Sequence, residues 1–140
     1  MLKLDFNERA DKNNQIVKDY PFGETLWRYP DRQPLESQLA ELYDLSPSQV
    51  LVTNGGDEAI MLLMRLIKES GRLILPLPAF SQYTQGIKSW SIETKLIESN
   101  EDLKIDIVAI KSAIFESKNT TTILTRPNNP TGELIAINDL

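Results

Sequence analysis

The sequence predicts an α/β fold: a mostly parallel sheet with helices on both faces. Three observations point there. Short apolar, β-branched runs alternate with segments of helical periodicity from Pro34 onward. Two of those runs, Val50–Thr53 and Thr121–Thr125, feed polar turns that contain glycine. Turns of that kind sit at the carboxyl ends of strands, where open α/β sheets bind ligands. The alternation of strand and helix implies right-handed crossovers between parallel strands.

The elements follow in order. Residues 1–33 read as an irregular amino-terminal arm, polar and punctuated by Tyr20-Pro21-Phe22-Gly23 and Tyr29-Pro30-Asp31. Such an arm either packs on a larger body or another subunit, or is a partly disordered tail. Residues 34–140 read as part of a ligand-binding domain. Pro34 suits a first helical turn, and Leu35, Leu39 and Leu42 recur at helical spacing, with Glu36 and Glu41 facing away, until Leu45-Ser46-Pro47. A first strand is expected at Val50–Thr53. A helix follows from about Asp57 to Glu69, with Ile60, Leu63, Met64 and Ile67 on one face and Ser70-Gly71 closing it. Arg65 and Lys68 lie near its negative end.

A second strand spans Arg72–Leu75. A third helix starts near Ala79 and carries Phe80, Tyr83 and Ile87. A third strand covers about Ile92–Ile97, Asn100–Lys104 is a polar connection, and a fourth helix carries Ile107, Ile110 and Ile114. The fourth strand is Thr121–Thr125.

Composition removes several function classes. The 140 residues make one domain or part of one, and 41% hydrophobic content can fill a core. The net charge of −5, with no basic run, argues against nucleic acid as a partner. No cysteine and no histidine are present. Disulfides, thiol nucleophiles, imidazole bases and the common transition-metal sites therefore drop out, and no carboxylate run has calcium-loop spacing. Met1–Glu8 is too charged for a secretory signal, and no apolar stretch approaches the roughly 20 residues of a membrane helix. The expectation is a soluble cytoplasmic protein without a membrane partner.

Two motifs carry chemistry. In Val52-Thr53-Asn54-Gly55-Gly56-Asp57-Glu58 a strand runs through two glycines into a helix. Glycine lets a ligand approach the backbone, and the first helix amides point outward at the positive dipole end, a natural seat for phosphate. Alone, the junction reads equally as a helix start in which Asp57 caps and Glu58 complements the dipole. It lacks the Walker lysine and the dinucleotide glycine pattern, and no acidic ribose partner follows. In Arg126-Pro127-Asn128-Asn129-Pro130-Thr131-Gly132 a rigid turn aims the Asn129 amide from the end of a strand. Alone, that run also reads as a surface turn. Likewise Phe80 and Tyr83 read as core aromatics, and Tyr29-Pro30 as a turn.

Taken in order, Trp27-Arg28-Tyr29-Pro30-Asp31, Gly55-Gly56-Asp57-Glu58, Pro78-Ala79-Phe80-Ser81-Gln82-Tyr83 and Pro127–Gly132 resemble the pyridoxal-phosphate-dependent aminotransferases of fold type I. The likeness is nearest to the histidinol-phosphate aminotransferases and covers about residues 4–137. Gly55-Gly56-Asp57-Glu58 stands where those proteins usually have Gly-Ala-Asp-Glu. The resemblance implies the following roles. The amides of Gly56, Asp57 and Glu58 hold the phosphate of pyridoxal 5'-phosphate. Phe80 stacks on the pyridine ring where the family often has tyrosine. Asn129 donates to the phenolic oxygen, and Tyr29 reaches across a homodimer interface to the partner's cofactor phosphate. Asn7 aligns with a stretch near the substrate, an amino acid or phosphorylated amino alcohol.

The same resemblance places the family's remaining chemistry beyond Leu140: the aspartate facing the pyridine nitrogen, the Schiff-base lysine and the arginine for the substrate carboxylate. It assigns no catalytic residue to this chain, and Lys68, Lys88 and Lys111 match none of those positions. The family's sheet order, 3-2-4-5-6-7-1, leaves the first strand without neighbours, so it pairs differently or exposes an edge. The expectation is an incomplete large domain: a piece of an aminotransferase inactive by itself, or a truncated product that dimerises or swaps elements. Three alternatives stay open: a decarboxylase for a phosphorylated amino acid, a non-catalytic remnant serving binding or assembly, and a nucleotide site at Gly55-Gly56.

Overall fold

The structure, a computed structural model, describes residues 29–139. These fall into two compact units, one ending at Val52 and the other beginning at Thr53.

In the first unit, α1 (Gln33–Leu42) has Pro34 in its opening turn and is followed by a 3-10 turn at Pro47–Gln49. Ser46 and Gln49 form a capping box there. Only Ala40 is buried on α1, whereas Leu35 and Leu42 are exposed. Glu36, expected to face away, turns inward: its carboxylate accepts the Val52 amide at 2.9 Å. Arg32 Nη1 donates to the Val52 carbonyl at 3.1 Å. This explains a second departure from expectation. Val50–Thr53 is not a strand in the structure. Val50 has strand-like dihedrals, but side chains of the α1 region, rather than a neighbouring strand, satisfy the polar backbone of Val52.

The second unit holds a three-stranded parallel sheet, order β2-β1-β3, with β1 Arg72–Leu77, β2 Thr94–Glu98 and β3 Thr120–Thr122. In the sequence count these are the third, second and fourth strands, in the expected order. The helices are α2 (Gly55–Ser70), α3 (Ser81–Trp90) and α4 (Ile107–Glu116). Strand alternation sends β1 side chains to opposite faces. Leu73 and Leu75 pack with Met64 and Ile67 of α2 and with Ile92. Ile74 packs on the other face with Ile97, Ile105, Ile110, Ala113 and Ile135. Helices thus cover both faces, and β1 is buried from Leu73 to Pro76, as a central parallel strand should be.

Several boundaries move. The α3 helix begins at Ser81, so Phe80 is its flanking residue rather than a member. Pairing of β3 stops at Thr122, short of the expected Thr125. On α4, Ile110 and Ala113 are buried while Ile114 is 41% exposed. On α2, Leu63 is exposed, and Ile60, Met64 and Ile67 carry the inward face.

Candidate functional site

Topology decides which ends come together. The α2 helix ends at Gly71 and β1 begins at the next residue. The helix packs along the same strand through Met64 and Ile67, so it runs antiparallel to it. Sixteen residues of helix span about 24 Å, against about 20 Å for six residues of strand. The first turn of α2 therefore lies at the carboxyl edge of the sheet. The loops leaving β1 and β3 emerge at that edge too, because the strands are parallel. One loop carries Phe80 and the other Asn129.

At the α2 start, Gly55 has φ +74°, a left-handed conformation that favours glycine. Its amide donates to Thr53 O at 2.9 Å. The Glu58 carboxylate folds back to accept the Asn54 amide. Of the four helix-opening amides that lack an intrahelical acceptor, two are thereby used. Gly56 and Asp57 keep the other two free among the described residues. Glu58, fourth after the N-cap Asn54, has its own amide where the helix ladder begins. A Cβ built on Gly56 would meet nothing within 4 Å, so the bare backbone there faces open space. Amides of this kind, at a helix amino end, suit a phosphate.

Across the edge, Phe80 and Tyr83 make an edge-on ring pair, centroids 6.3 Å apart at 87°. Tyr83 packs against the α2-side core and its hydroxyl meets Thr125 Oγ1 at 3.5 Å. Tyr83, on α3, is partly buried against that core, and Phe80, also partly buried, is the residue that flanks the helix. Asn129 is partly buried, and its carboxamide has no hydrogen-bond partner among the described residues. Its neighbour Asn128, which the motif reading passed over, is 6% exposed and donates to Pro78 O at 3.0 Å and Thr131 Oγ1 at 2.9 Å. An asparagine beside a motif residue carries no sequence signal of burial.

Tyr29 belongs to the first unit and is 99% exposed. Asn7 lies outside the described residues. A cleft of about 590 Å³ opens elsewhere, beside α4, lined by Asn100, Ile105, Asp106, Glu133 and Ile135 among others; none of the motif residues borders it. Among the described residues no group of acidic side chains could hold a metal ion, and no helix is long and apolar enough to cross a membrane.

A parallel sheet with helices on both faces is the fold shared with the fold type I aminotransferases. The chain belongs to the family of class I and II aminotransferases, whose family profile matches residues 7–140. This family is pyridoxal-phosphate-dependent. Among curated proteins the chain is similar to the histidinol-phosphate aminotransferase of Pectobacterium atrosepticum, 38% identical over 122 residues that cover 84% of this chain. Those residues cover 33% of the relative, so the chain spans about a third of its length. The histidinol-phosphate aminotransferase of Sinorhizobium meliloti, solved in complex with pyridoxal 5'-phosphate, superposes with TM-score 0.61 at 20% identity, covering 78% of this chain and 30% of that one. That likeness shows the fold. The L-threonine-O-3-phosphate decarboxylase of Porphyromonas gingivalis superposes with TM-score 0.60 at 26% identity, covering 79% and 31%.

Proposed function

We propose that this chain is the cofactor-cradling part of a pyridoxal-phosphate-dependent aminotransferase resembling the histidinol-phosphate enzymes. In this reading the amides of Gly56 and Asp57, with the α2 dipole, hold the cofactor phosphate. Phe80 presents its ring face to the pyridine, and Asn129 donates its side-chain amide to the phenolic oxygen. When bound, the cofactor supplies the electron sink through which an amino group passes to a 2-oxo acid. The chain's own residues bind and orient it. The observation that carries the reading is the free carboxamide of Asn129, on the sheet edge to which the α2 amides also point.

The amino donor in this reading is an amino acid or a phosphorylated amino alcohol, taken from the similarity to histidinol-phosphate aminotransferases. A homodimer in the cytoplasm, with Tyr29 serving the partner's cofactor phosphate, completes it; the Glu58 amide, taken up by the helix ladder, drops out of the phosphate set that the resemblance implied. Residues 1–33 act as an arm and 34–140 as part of the cofactor domain. The likeness to a decarboxylase acting on a phosphorylated amino acid supports a second reading, in which the same cradle serves loss of carbon dioxide.

Titration with pyridoxine 5'-phosphate tests the cradle, because that analogue has no aldehyde to react with surface lysines. Expected are saturable binding, competition by inorganic phosphate, and a five- to tenfold loss of affinity in Asn129→Ala, the size of one hydrogen bond. Binding indifferent to both phosphate and Asn129 would overturn the assignment.

A further inference from the structure

Asn128 is the buried polar side chain of the described residues, and its hydrogen bonds join two loops fifty residues apart. Nδ2 donates to Pro78 O at 3.0 Å, in the loop that leaves β1 and carries Phe80. It also donates to Thr131 Oγ1 at 2.9 Å, inside the turn that carries Asn129. The main chain of Asn128 closes that turn, donating to Glu133 O at 2.8 Å and accepting from Gly132 N at 2.7 Å. A second contact runs beside it: Thr125, just before the turn, meets Tyr83 of α3, whose ring packs edge-on against Phe80.

We propose that Asn128 is a positioning residue that locks Phe80 and Asn129 into one frame, so that ring face and amide meet the same flat heteroaromatic ligand. The inference rests on the cofactor reading above. Its physical basis is burial. A buried carboxamide that loses its donors leaves the Pro78 carbonyl without a partner, and the two loops then relax independently. Asparagine is the side chain that can do this work. Aspartate has the same shape and no N–H, so it sets an oxygen against the Pro78 carbonyl.

The test compares the chain with Asn128→Asp, Thr131→Val and Thr131→Ser. Each is followed by the NMR signals of the Phe80 ring and the Asn129 carboxamide, and by titration with pyridoxine 5'-phosphate. Methyl signals of Leu73 and Ile110 report that the core is intact. Expected in Asn128→Asp is joint movement of the Phe80 and Asn129 signals with about tenfold weaker binding. Thr131→Val gives the same pattern more weakly, and Thr131→Ser, which keeps the hydroxyl, returns both readouts to normal. If Asn128→Asp does not fold, the Thr131 pair decides by itself. Asn129 signals that move while Phe80 stays still, in a variant with intact core methyls, would overturn the proposal. Unchanged affinity in such a variant would do the same. An unsubstituted chain that fails to bind the analogue removes the cofactor reading, and the joint movement of the two signals then judges the coupling separately.

Discussion

Gly86 of α3 lies against Met64 of α2 so closely that a Cβ on Gly86 would stand 2.6 Å from Met64 Cγ. Both residues are buried, Met64 completely. The glycine is what lets the two helices share one face of the sheet. Gly86→Ala forces Met64 out of a packed site, and a stability loss of about 1–3 kcal/mol is expected. Urea unfolding checks this, and an unchanged midpoint would show that the helices separate freely.

Gly71 is the harder case. A Cβ there would fall 1.9 Å from the backbone oxygen of Asn119, which also accepts the Arg72 amide. A backbone obstacle cannot rotate away as a side chain does. Gly71→Ala is expected to cost more than Gly86→Ala, about 3 kcal/mol or more, by displacing the start of the β1–β3 pairing. The same unfolding experiment ranks the two.

The paired glycines at the α2 start should behave oppositely. Gly56 sits in the helix with open space around it, so Gly56→Ala is expected to stabilise by about 0.5–1 kcal/mol and to leave phosphate binding intact. Gly55 has φ +74°, and Gly55→Ala is expected to lose about 1 kcal/mol or more. Thermal unfolding with phosphate titration separates them. Loss of phosphate binding in Gly56→Ala would mean that the backbone there tolerates no methyl.

Glu116 provides a pH signature. Hydrogen bonds from Lys95 and Ser112 and the Lys95 charge hold its carboxyl below the ordinary glutamate range. A carboxyl depressed in the folded state contributes stability above its unfolded pKa and loses it as pH falls through the folded value. The stability difference between the chain and Glu116→Gln should therefore be present at neutral pH and vanish in acid. Because the pair is solvent-exposed, it should also shrink in high salt. A difference that persists in acid and in salt would point to packing instead.

Lys68, Lys88 and Lys111 are expected to take no part in transfer of an amino group from glutamate to a 2-oxo acid. Lys68 lies in the last turn of α2, donating to Ser91 O, and Lys88 in the last turn of α3; both are at the amino edge of the sheet, away from Asn129. Lys111 is exposed on α4. Turnover by purified protein, abolished by a substitution at one of these lysines, would contradict this.

The fold was legible where periodicity is local. Val50–Thr53 shows the limit of that legibility. Its β-branched run has strand propensity, but a strand needs a neighbour, and here Arg32 and Glu36 meet the main chain of Val52 instead. Glu36 looked like a solvent-facing charge because helical spacing says nothing about a chain segment folding over that face. The same spacing groups Ile114 with Ile107 and Ile110, whereas the residues that α4 buries are Ile110 and Ala113.

The residue types alone determined the α/β alternation and the two loops that carry the family motifs, whereas the strand order was an expectation from the family resemblance. Those signals are short-range, written in side-chain period and turn chemistry. Tertiary structure decided that the α2 amides, Phe80 and Asn129 share one edge, because only parallel pairing brings the ends of separate strands together. It also packed Tyr83 against the core and gave Asn128 its role, since burial and a bond to a carbonyl fifty residues away are properties of packing, not of composition.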